Sequence, residues 1–422
     1  MIEGYKDSPF GKIPNDWELV SIGEISKVTA GGTPNTQQSL YWGGDIPWMN
    51  SGEINLRKIK SVEGRITDMG LKNSSTKIIP INSVLMALAG QGKTRGKVAI
   101  NEIPLCTNQS LATIYDFKNA HFDYIFQNLE SRYSEIRKMS TGDGGRGGLN
   151  LAIIKSIKIP LPPLPEQQKI AEILRTVDDK IEVIDQQIIE TQVLKKGLMQ
   201  RLLTKGIGHA EFKDSPLGEI PKSWEVSYLQ LHSDFITKGS TPTTYGYQWE
   251  ESGIQFLRSE CVSPRGFILS GAMFISEQAN DALERSKIKG GDILMTITGN
   301  VGRVCIYPYE YVTGNINQHI ARIRITDDSI SSQFVFQFLS QSTQIQEYLK
   351  ITTGQAYPQL SLKQVRETKI PVPTLGEQIK ISEILSSVDE KLEVLSEKKT
   401  HYQELKEGLM QQLLTGKIRV KV

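Results

Sequence analysis

A 39-residue stretch that occurs twice constrains this chain more than any other feature of its sequence. Residues 166–204 read EQQKIAEILRTVDDKIEVIDQQIIETQVLKKGLMQRLLT, and residues 377–415 read EQIKISEILSSVDEKLEVLSEKKTHYQELKEGLMQQLLT. Apolar residues recur in both copies at alternating steps of three and four, as in a helix that packs along one seam. At 1.5 Å per residue each helix would be roughly 58 Å long, which is more than a small domain needs. The sequence therefore predicts two long helices that act as spacers.

The two seams can bury each other. If the helices pack as an antiparallel coiled coil, the chain acquires a pseudo-two-fold axis and presents two similar heads. Leu194 and Tyr402 extend the pattern, while Gly197 and Gly408 predict either a close approach of the helices or a break. The residues predicted to pack between the helices are Ile170, Leu174, Val177, Ile181, Ile184, Ile188 and Leu198 in the first, and Ile381, Leu385, Val388, Leu392, Leu395, Leu405 and Leu409 in the second.

The repetition extends over the whole chain. YKDSPFGKIPNDWEL at 5–19 matches FKDSPLGEIPKSWEV at 212–226, and GGTP at 31–34 matches GSTP at 239–242. IPWMNSGEI matches IQFLRSECV, and Asn-Gln recurs at 108–109 and 317–318. Four segments follow: a globular domain at 1–160, a central long-helix spacer at 161–211, a second globular domain at 212–371, and a C-terminal long-helix spacer at 372–422.

Each globular segment is predicted to be a mixed α/β (α+β) domain. Short apolar runs between turn residues predict strands at 84–89, 97–100 and 111–115. Helices are predicted at 121–138 and 332–349. Strand-like runs, IKSIKIPLP and VRETKIPVP, precede the two long helices.

Composition favours a soluble protein. The 422 residues are 38% hydrophobic and 23% charged, without a long uncharged apolar run or an apolar signal core, so a cytoplasmic protein without membrane contact is expected. Cys106, Cys261 and Cys305 form no C-x-x-C pair, which favours buried thiols over zinc ligands or disulfides. The net charge of +2 means that any affinity for DNA must come from local clusters of cations.

Enzymatic motifs are missing from the sequence. The GQGKT run at 90–94 lacks the earlier glycine of a phosphate-binding loop, since Ala87 holds that position. No Asn-Pro-Pro-aromatic methyltransferase motif or nuclease carboxylate cluster occurs, and the five histidines are far apart. No catalytic residue, metal ligand or cofactor is predicted for this chain, which favours a binding module whose partners perform the catalysis.

The duplicated motifs resemble the specificity subunit (HsdS) of type I restriction–modification systems. The resemblance covers nearly the whole chain, through the LPPLPEQQKIAEIL run at 161–174, the GLMQxLLT helix ends and the Trp-Glu start of each domain. It implies that each globular segment is a target recognition domain that reads half of a bipartite double-stranded DNA site. It also implies that the helices set the spacing and dock two modification (methyltransferase) subunits, which restriction/motor subunits join. S-adenosylmethionine, ATP and Mg would then act on those partner subunits.

Candidate DNA contacts follow from side-chain chemistry. Arginine and lysine suit phosphates and guanine, and asparagine and glutamine suit adenine edges, although amides that fix turns are an equal alternative. Trp48 and Phe256 are expected in the core. The candidate DNA-binding residues are Asn50, Ser51, Lys93, Thr94, Arg95, Lys97, Asn108, Gln109, Arg146, Arg258, Ser259, Arg303, Asn317, Gln318, Gln355 and Tyr357.

Two other classes of protein share part of this pattern. A bivalent coiled-coil adaptor without DNA specificity would also need two heads on a helical spacer. A stand-alone enzyme ranks third, because the catalytic motifs are missing. Salt-dependent binding to one bipartite DNA site would distinguish the specificity subunit from the adaptor.

Overall fold

The computed structural model describes residues 4–90, 94–140, 148–263, 266–354 and 358–421, which form two compact units. The first unit comprises Met1–Asp185 and Glu397–Val422, and the second comprises Gln186–Ser396. Each unit therefore contains one globular part, half of the first long helix and half of the second. The sequence-based division at 161–211 and 372–422 instead treats the helices as separate segments.

The two long helices are present as predicted. They run from Leu164 to Lys205 and from Leu375 to Leu413. Within the first unit they are antiparallel. Asp178 pairs with Lys406, whereas Asp185, which is later on the first helix, pairs with Lys399, which is earlier on the second. Within the second unit they are also antiparallel, because Lys195 pairs with Asp389 and the later Ile207 N–H bonds Glu377. The antiparallel helix pair and the mixed fold are confirmed.

Most predicted seam residues are buried or half-buried, but the seam departs from the prediction near Leu405. That side chain is 41% exposed and Leu194, at the equivalent position, is 52% exposed. An unbroken three-four alternation reaches Lys195 and Lys406 instead, one residue later, so the leucines fall on the outer surface. The ends of the seam also serve the domain core, since Ile170 and Leu174 lie in one buried cluster with Trp17.

The recurring glycines of the helices have neither predicted role. A Cβ atom added at Gly197 or Gly408 would meet no atom within 4 Å. Both positions lie inside continuous helix, so they mark neither a close approach nor a break. None of the helices in the described part of the chain is both long and apolar enough to cross a membrane.

The first unit is built on a five-stranded sheet and a three-stranded sheet. The five-stranded sheet orders its strands 27–30, 111–115, 84–87, 98–101 and 58–59, and the three-stranded sheet orders 106–107, 42–49 and 65–66. The remaining strands pair as Tyr5–Ser8 with Gly11–Pro14 and Glu18–Ser21 with Lys158–Leu161. The helices of the globular part are Ile22–Ile25, Ser39–Tyr41, Ser51–Leu56, Asp68–Lys72, Phe122–Ser131, Tyr133–Lys138 and Leu151–Ser156.

The second unit repeats this plan with two four-stranded sheets. One orders the strands 237–238, 320–323, 293–296 and 304–306, and the other orders 273–275, 254–257, 314–316 and 287–288. Three two-stranded pairs complete it: Phe212–Ser215 with Gly218–Pro221, Glu225–Tyr228 with Lys369–Val372, and Val262–Ser263 with Gly266–Phe267. Its helices are Leu229–Leu231, Pro242–Tyr245, Ser259–Cys261, Glu277–Ala282, Glu284–Ser286, Ser332–Leu339, Ser342–Ile351 and Leu362–Arg366.

Three boundaries differ from the sequence-based prediction. The helix predicted at 121–138 is interrupted at Arg132, whose ψ of 19° is not helical. The helix predicted at 332–349 is interrupted at Ser340 and Gln341, where both side chains bond preceding helix carbonyls. The strand-like runs before the long helices begin with short helices, because Asn150 and Ser361 each cap a helix start.

Candidate nucleic-acid interface

In the first unit two parallel strand ends bring predicted DNA contacts together. The strand Trp42–Met49 pairs with Cys106–Thr107, and Thr107 lies opposite Met49. The Asn108 N–H continues the ladder by donating to the Met49 carbonyl at 3.0 Å. Asn50 and Ser51 therefore lie beside Asn108 and Gln109 where the two strands end.

The second unit builds the same arrangement from different side chains. The strand Ile254–Leu257 runs parallel to Gly314–Ile316, and Asn317 N–H donates to the Leu257 carbonyl at 3.0 Å. Arg258 and Ser259 thus lie beside Asn317 and Gln318. The backbone geometry is repeated, while Asn50 of the first unit is replaced by an arginine.

The Gly-x-Thr-Pro turns complete both sites, and sequence reasoning missed their threonines. Thr33 Oγ1 donates to Gln109 Oε1, and Thr241 Oγ1 donates to Gln318 Oε1 at 2.9 Å. Gly31 and Gly239 are required because a Cβ atom would collide with the carbonyls of the neighbouring strand. The recurrence of the turn motif was the signal that could have identified the threonines. We call each cluster a polar edge, formed by Thr33, Asn50, Ser51, Asn108 and Gln109 in the first unit and by Thr241, Arg258, Ser259, Asn317 and Gln318 in the second.

A β-hairpin carries one predicted cation beside each polar edge. Ala87 N–H donates to the Lys97 carbonyl at 3.0 Å, and Thr296 N–H donates to the Arg303 carbonyl at 2.9 Å, so the two cations are equivalent. Lys97 Nζ also donates to Asn55 Oδ1 at 2.6 Å, on the helix that follows Ser51. The hairpin of the first unit therefore places a cation next to its polar edge, and Arg303 holds the equivalent hairpin position in the second unit.

The amides of the polar edges mostly fix local turns. Asn50 Oδ1 accepts from Gly52 N–H at 2.8 Å, and its Nδ2 donates to Glu53 at 2.9 Å. Asn108 Oδ1 and Asn317 Oδ1 accept backbone N–H groups two residues later, at 3.1 and 3.0 Å. Each side chain performs the turn-fixing role that the sequence left open as an alternative. These contacts hold the strand ends at fixed positions.

Arg258 and Gln109 present their polar groups differently. The Arg258 side chain is 42% exposed. Its Nε donates to the Gly271 carbonyl at 3.1 Å and lies 3.8 Å from Glu260, and no described residue binds its other two guanidinium nitrogens. Gln109 is exposed, and Gln318 is half-buried with its Nε2 3.1 Å from His319 Nε2. Ser51 and Ser259 each begin a 3-10 helix and are half-buried.

Arg95 is more deeply buried than the other candidate cations that the structure describes. Arg95 is only 6% exposed, and its Nη1 donates to Ser140 Oγ at 2.9 Å. This hydrogen bond holds the guanidinium against the domain. Its neighbour Thr94 is half-buried beside Gly90. Lys93, Arg146, Gln355 and Tyr357 lie outside the described residues.

The aromatic side chains beside the edges belong to the packing of each unit. Phe256 is 1% exposed and meets Trp249 edge to face at 5.2 Å. Trp48 is half-buried, meets Trp42 at 5.0 Å, and donates its Nε1–H to the Gly32 carbonyl at 3.0 Å. The predicted core position of Phe256 is confirmed, and Trp48 supports the turn that carries Thr33.

Each domain is attached to a long helix through a buried tryptophan. Trp17 Nε1–H donates to Glu166 at 3.2 Å, and Trp224 Nε1–H donates to Glu377 at 3.0 Å. Arg419 binds both oxygens of Glu166 at 2.7 and 2.8 Å. The signal for this attachment in the sequence is the recurrence of both glutamates together with the Trp-Glu motif.

The first unit has a further charged network that the sequence did not predict. Arg57 donates to both oxygens of Glu130 at 2.6 and 2.7 Å and lies 3.1 Å from Asp178. Lys406 contacts the same two carboxylates at 2.6 and 2.8 Å. Burial opposes ionisation of Asp178, but the charges of Arg57 and Lys406 outweigh it and hold the pKa of that carboxyl below its ordinary value.

The described residues hold no group of three His, Cys, Asp or Glu side chains that could bind a metal ion. The three cysteines are free and buried. Burial raises the pKa of each thiol above its ordinary value, which leaves all three as unreactive thiols at neutral pH.

Comparison with known proteins gives a consistent result. A family model described as the type I restriction modification DNA specificity domain matches residues 14–192 and 221–406. The chain is 30% identical to the putative type I restriction enzyme MjaX specificity subunit of Methanocaldococcus jannaschii, over 99% of this chain and 97% of that protein. It is 29% identical to the MjaVIII specificity subunit of the same organism, with the same coverage.

Solved structures share the fold. The crystal structure of the type I restriction-modification S subunit from M. genitalium superposes with a TM-score of 0.62 at 18% identity. That match covers 96% of this chain and 98% of the other.

Proposed function

The chain belongs to the type I restriction modification DNA specificity family, and we propose that each of its units reads one half of an asymmetric, bipartite site in double-stranded DNA. The observation that carries this proposal is the duplicated polar edge. Both edges have the same backbone arrangement at two parallel strand ends, but Asn50 in one corresponds to Arg258 in the other. Equivalent scaffolds with different side chains suit two half-sites of different sequence.

The chemistry of the edges supports contact with DNA. Lys97 and Arg303 lie on equivalent hairpins, where they can bind phosphates and so fix the position of the edge on the duplex. Arg258 is half-exposed and can donate two hydrogen bonds to a guanine. Gln109 and Gln318, oriented by Thr33 and Thr241, are suited to adenine.

The long helices determine the distance between the half-sites and dock the catalytic subunits. Two half-sites read from one face of DNA lie about one helical turn, roughly 34 Å, apart. The outer surfaces of the helices retain exposed apolar side chains at equivalent positions, Val183 with Val394 and Leu194 with Leu405. We assign these surfaces to two modification subunits, with restriction/motor subunits joining the complex.

The chain performs no catalysis in this proposal. Methyl transfer, with S-adenosylmethionine, and cleavage, with ATP and Mg, take place on the partner subunits. The proposed location is the cytoplasm, where the complex meets DNA. Family membership and the duplicated DNA specificity domain favour this function over a coiled-coil adaptor without DNA specificity.

Methylation mapping tests the proposed function. The full chain is assembled with its modification subunit, and methylated adenines are located in DNA of mixed sequence. Exchange of residues 1–160 for the equivalent segment of another specificity subunit should change one half of the methylated site and leave the gap unchanged. An exchange that changes neither half would contradict the recognition role of that segment.

A point variant sharpens the same test. Arg258→Gln should relax selection at one base pair of one half-site, with a loss of about 1–3 kcal/mol in discrimination. Arg285→Gln is the matched control, because Arg285 is an exposed arginine of the same unit outside the polar edge. Equal effects of the two substitutions would remove Arg258 from the proposed contacts.

A further inference from the structure

Arg57 connects the polar edge of the first unit to a long helix. Asn50 is the N-cap of the 3-10 helix Ser51–Leu56, and Arg57 is its C-cap. The Arg57 N–H donates to the Ile54 carbonyl. From there the guanidinium reaches Glu130, at 2.6 and 2.7 Å, and Asp178, at 3.1 Å. Asp178 belongs to the helix Leu164–Lys205. A single side chain thus joins the segment that carries Asn50 and Ser51 to the helix pair.

The backbone of Arg57 is held in a conformation that a non-glycine residue rarely adopts. Its φ is 58° and its ψ is −49°. The surrounding contacts maintain this geometry: the Arg57 carbonyl accepts from Ile100 N–H at 2.8 Å, and its side chain is bound by two carboxylates. Strain that is maintained by neighbouring contacts is typical of functional sites.

The second unit has no equivalent of this connection among its described residues. Asp389, which corresponds to Asp178, contacts Lys195 at 2.5 Å and Gln337 at 3.4 Å. The 3-10 helix that follows Arg258 has only three residues, Ser259–Cys261, and leads directly into a strand. Among the residues that the structure describes, the arginine connection therefore occurs in the first copy of the repeated scaffold and not in the second.

We infer that Arg57 is a positioning residue that couples the polar edge of the first unit to the long helices, so that base selection in one half-site depends on this ion pair and selection in the other does not. The inference rests on the proposed function and extends it. Arg57 touches no base in this proposal. It acts through Ser51–Leu56, by fixing where Asn50, Ser51 and Asn55 lie relative to the helix that carries Asp178.

The test compares base selection in both half-sites of one molecule. The full chain carrying Arg57→Gln or Glu130→Gln is assembled with the modification subunit, and methylation is measured on duplexes with single-base changes. For both variants, discrimination in the half-site assigned to the first unit should fall by about tenfold, comparable to the effect of one mismatched pair. Discrimination in the other half-site should stay as in the parent, which also shows that each variant is folded and assembled.

Three further variants separate positioning from stability and strain. Arg57→Lys keeps the charge and should restore part of the discrimination. Arg57→Gly relieves the backbone strain but removes the anchor, so it should behave like Arg57→Gln. Lys60 forms an exposed ion pair, at 2.9 Å, with Glu182 on the helix that also carries Asp178. Lys60→Gln removes this ion pair and should leave base discrimination in both half-sites unchanged.

Several outcomes would overturn the inference. Equal loss in both half-sites would indicate general destabilisation, and full discrimination in Arg57→Gln or Arg57→Gly would show that the connection is dispensable. Either result leaves the proposed function intact as long as the parent complex methylates one bipartite site. A parent complex without sequence selection would contradict the proposed function itself.

Discussion

At the residue scale, two buried carboxyl groups of the first unit have pKa values that are shifted in opposite directions. Asp178 is ionised because Arg57 and Lys406 compensate for its burial. Asp123 is 4% exposed, and burial raises its pKa to about 6 from an ordinary value of 3.8. One unit therefore carries a buried carboxyl whose pKa is lowered and another whose pKa is raised to about 6.

The raised pKa of Asp123 predicts a stability effect with a definite sign. The folded state holds the proton more tightly than the unfolded state, so this contribution is fully present below pH 4 and is lost as the pH rises through about 6. Asp123→Asn should therefore stabilise the protein by roughly 2 kcal/mol at pH 8, from the linkage between pKa and stability, and have little effect near pH 4. Thermal unfolding of the variant and the parent protein at pH 4 and pH 8 measures this difference in stability.

Asp116→Asn is the matched control for this prediction. Asp116 is exposed and pairs with Lys27, whose hydrogen bond lowers the pKa of the carboxyl. Its loss should not stabilise the protein at pH 8. A variant of Asp123 that is stabilised equally at both pH values would show that titration is not the cause.

At this scale the sequence identifies matched positions in the two units where the repeated motifs determine the backbone. Asn50 lies beside Asn108 in the first unit, and Arg258 lies beside Asn317 in the second, because the matched motifs follow matched strands. The burial of Arg95 could not be predicted, because nothing in a run of Lys, Thr, Arg and Gly distinguishes a cation that packs on Ser140 from one that faces solvent. The hydrogen bonds of the amide side chains were likewise undetermined.

At the element scale, the apolar residues of the long helices are buried to different extents along the helix. Leu174 is fully buried in the core cluster of the first unit, whereas Leu194 is 52% exposed. Both leucines fit an amphipathic pattern in the sequence. Only the phase of the three-four alternation, which passes through Lys195, separates them.

This difference predicts two distinct outcomes of the same substitution. Leu174→Ala should destabilise the protein by about 3 kcal/mol, because it removes a buried side chain and leaves a cavity. Leu194→Ala should change stability by less than about 0.5 kcal/mol, as at most surface positions. Urea unfolding followed by circular dichroism compares the two, and similar midpoints for both variants would contradict the observed seam.

At the scale of the whole molecule, the two compact units share both long helices. Each unit contains the start of one helix and the end of the other, so each globular part is attached to both. Glu166 accepts hydrogen bonds from the side chains of Trp17 and Arg419, which lie near opposite ends of the sequence. The helices are therefore elements of the units as well as spacers.

The spacer role predicts the effect of lengthening a helix. Insertion of four residues, about one helical turn, after Gln186 should change the gap between the methylated half-sites and leave both half-sites unchanged. Methylation mapping of the assembled complex gives the result. Replacement of residues 187–190 by four other helix-forming residues, without insertion, controls for local disruption, and an unchanged gap with altered half-sites would reject the spacer role.

The sequence by itself determined the architecture of this protein. Duplication of the long helices, the Trp-Glu motif and the Gly-x-Thr-Pro turn identified two equivalent units and an antiparallel pair, because periodicity and repetition are written in residue order. Only the tertiary structure decided which side chains contact each other. Arg57, Glu130 and Lys406 are separated by up to several hundred residues. Arg57 and Lys406 each contact both Glu130 and Asp178, and these contacts depend on packing, which residue order does not specify.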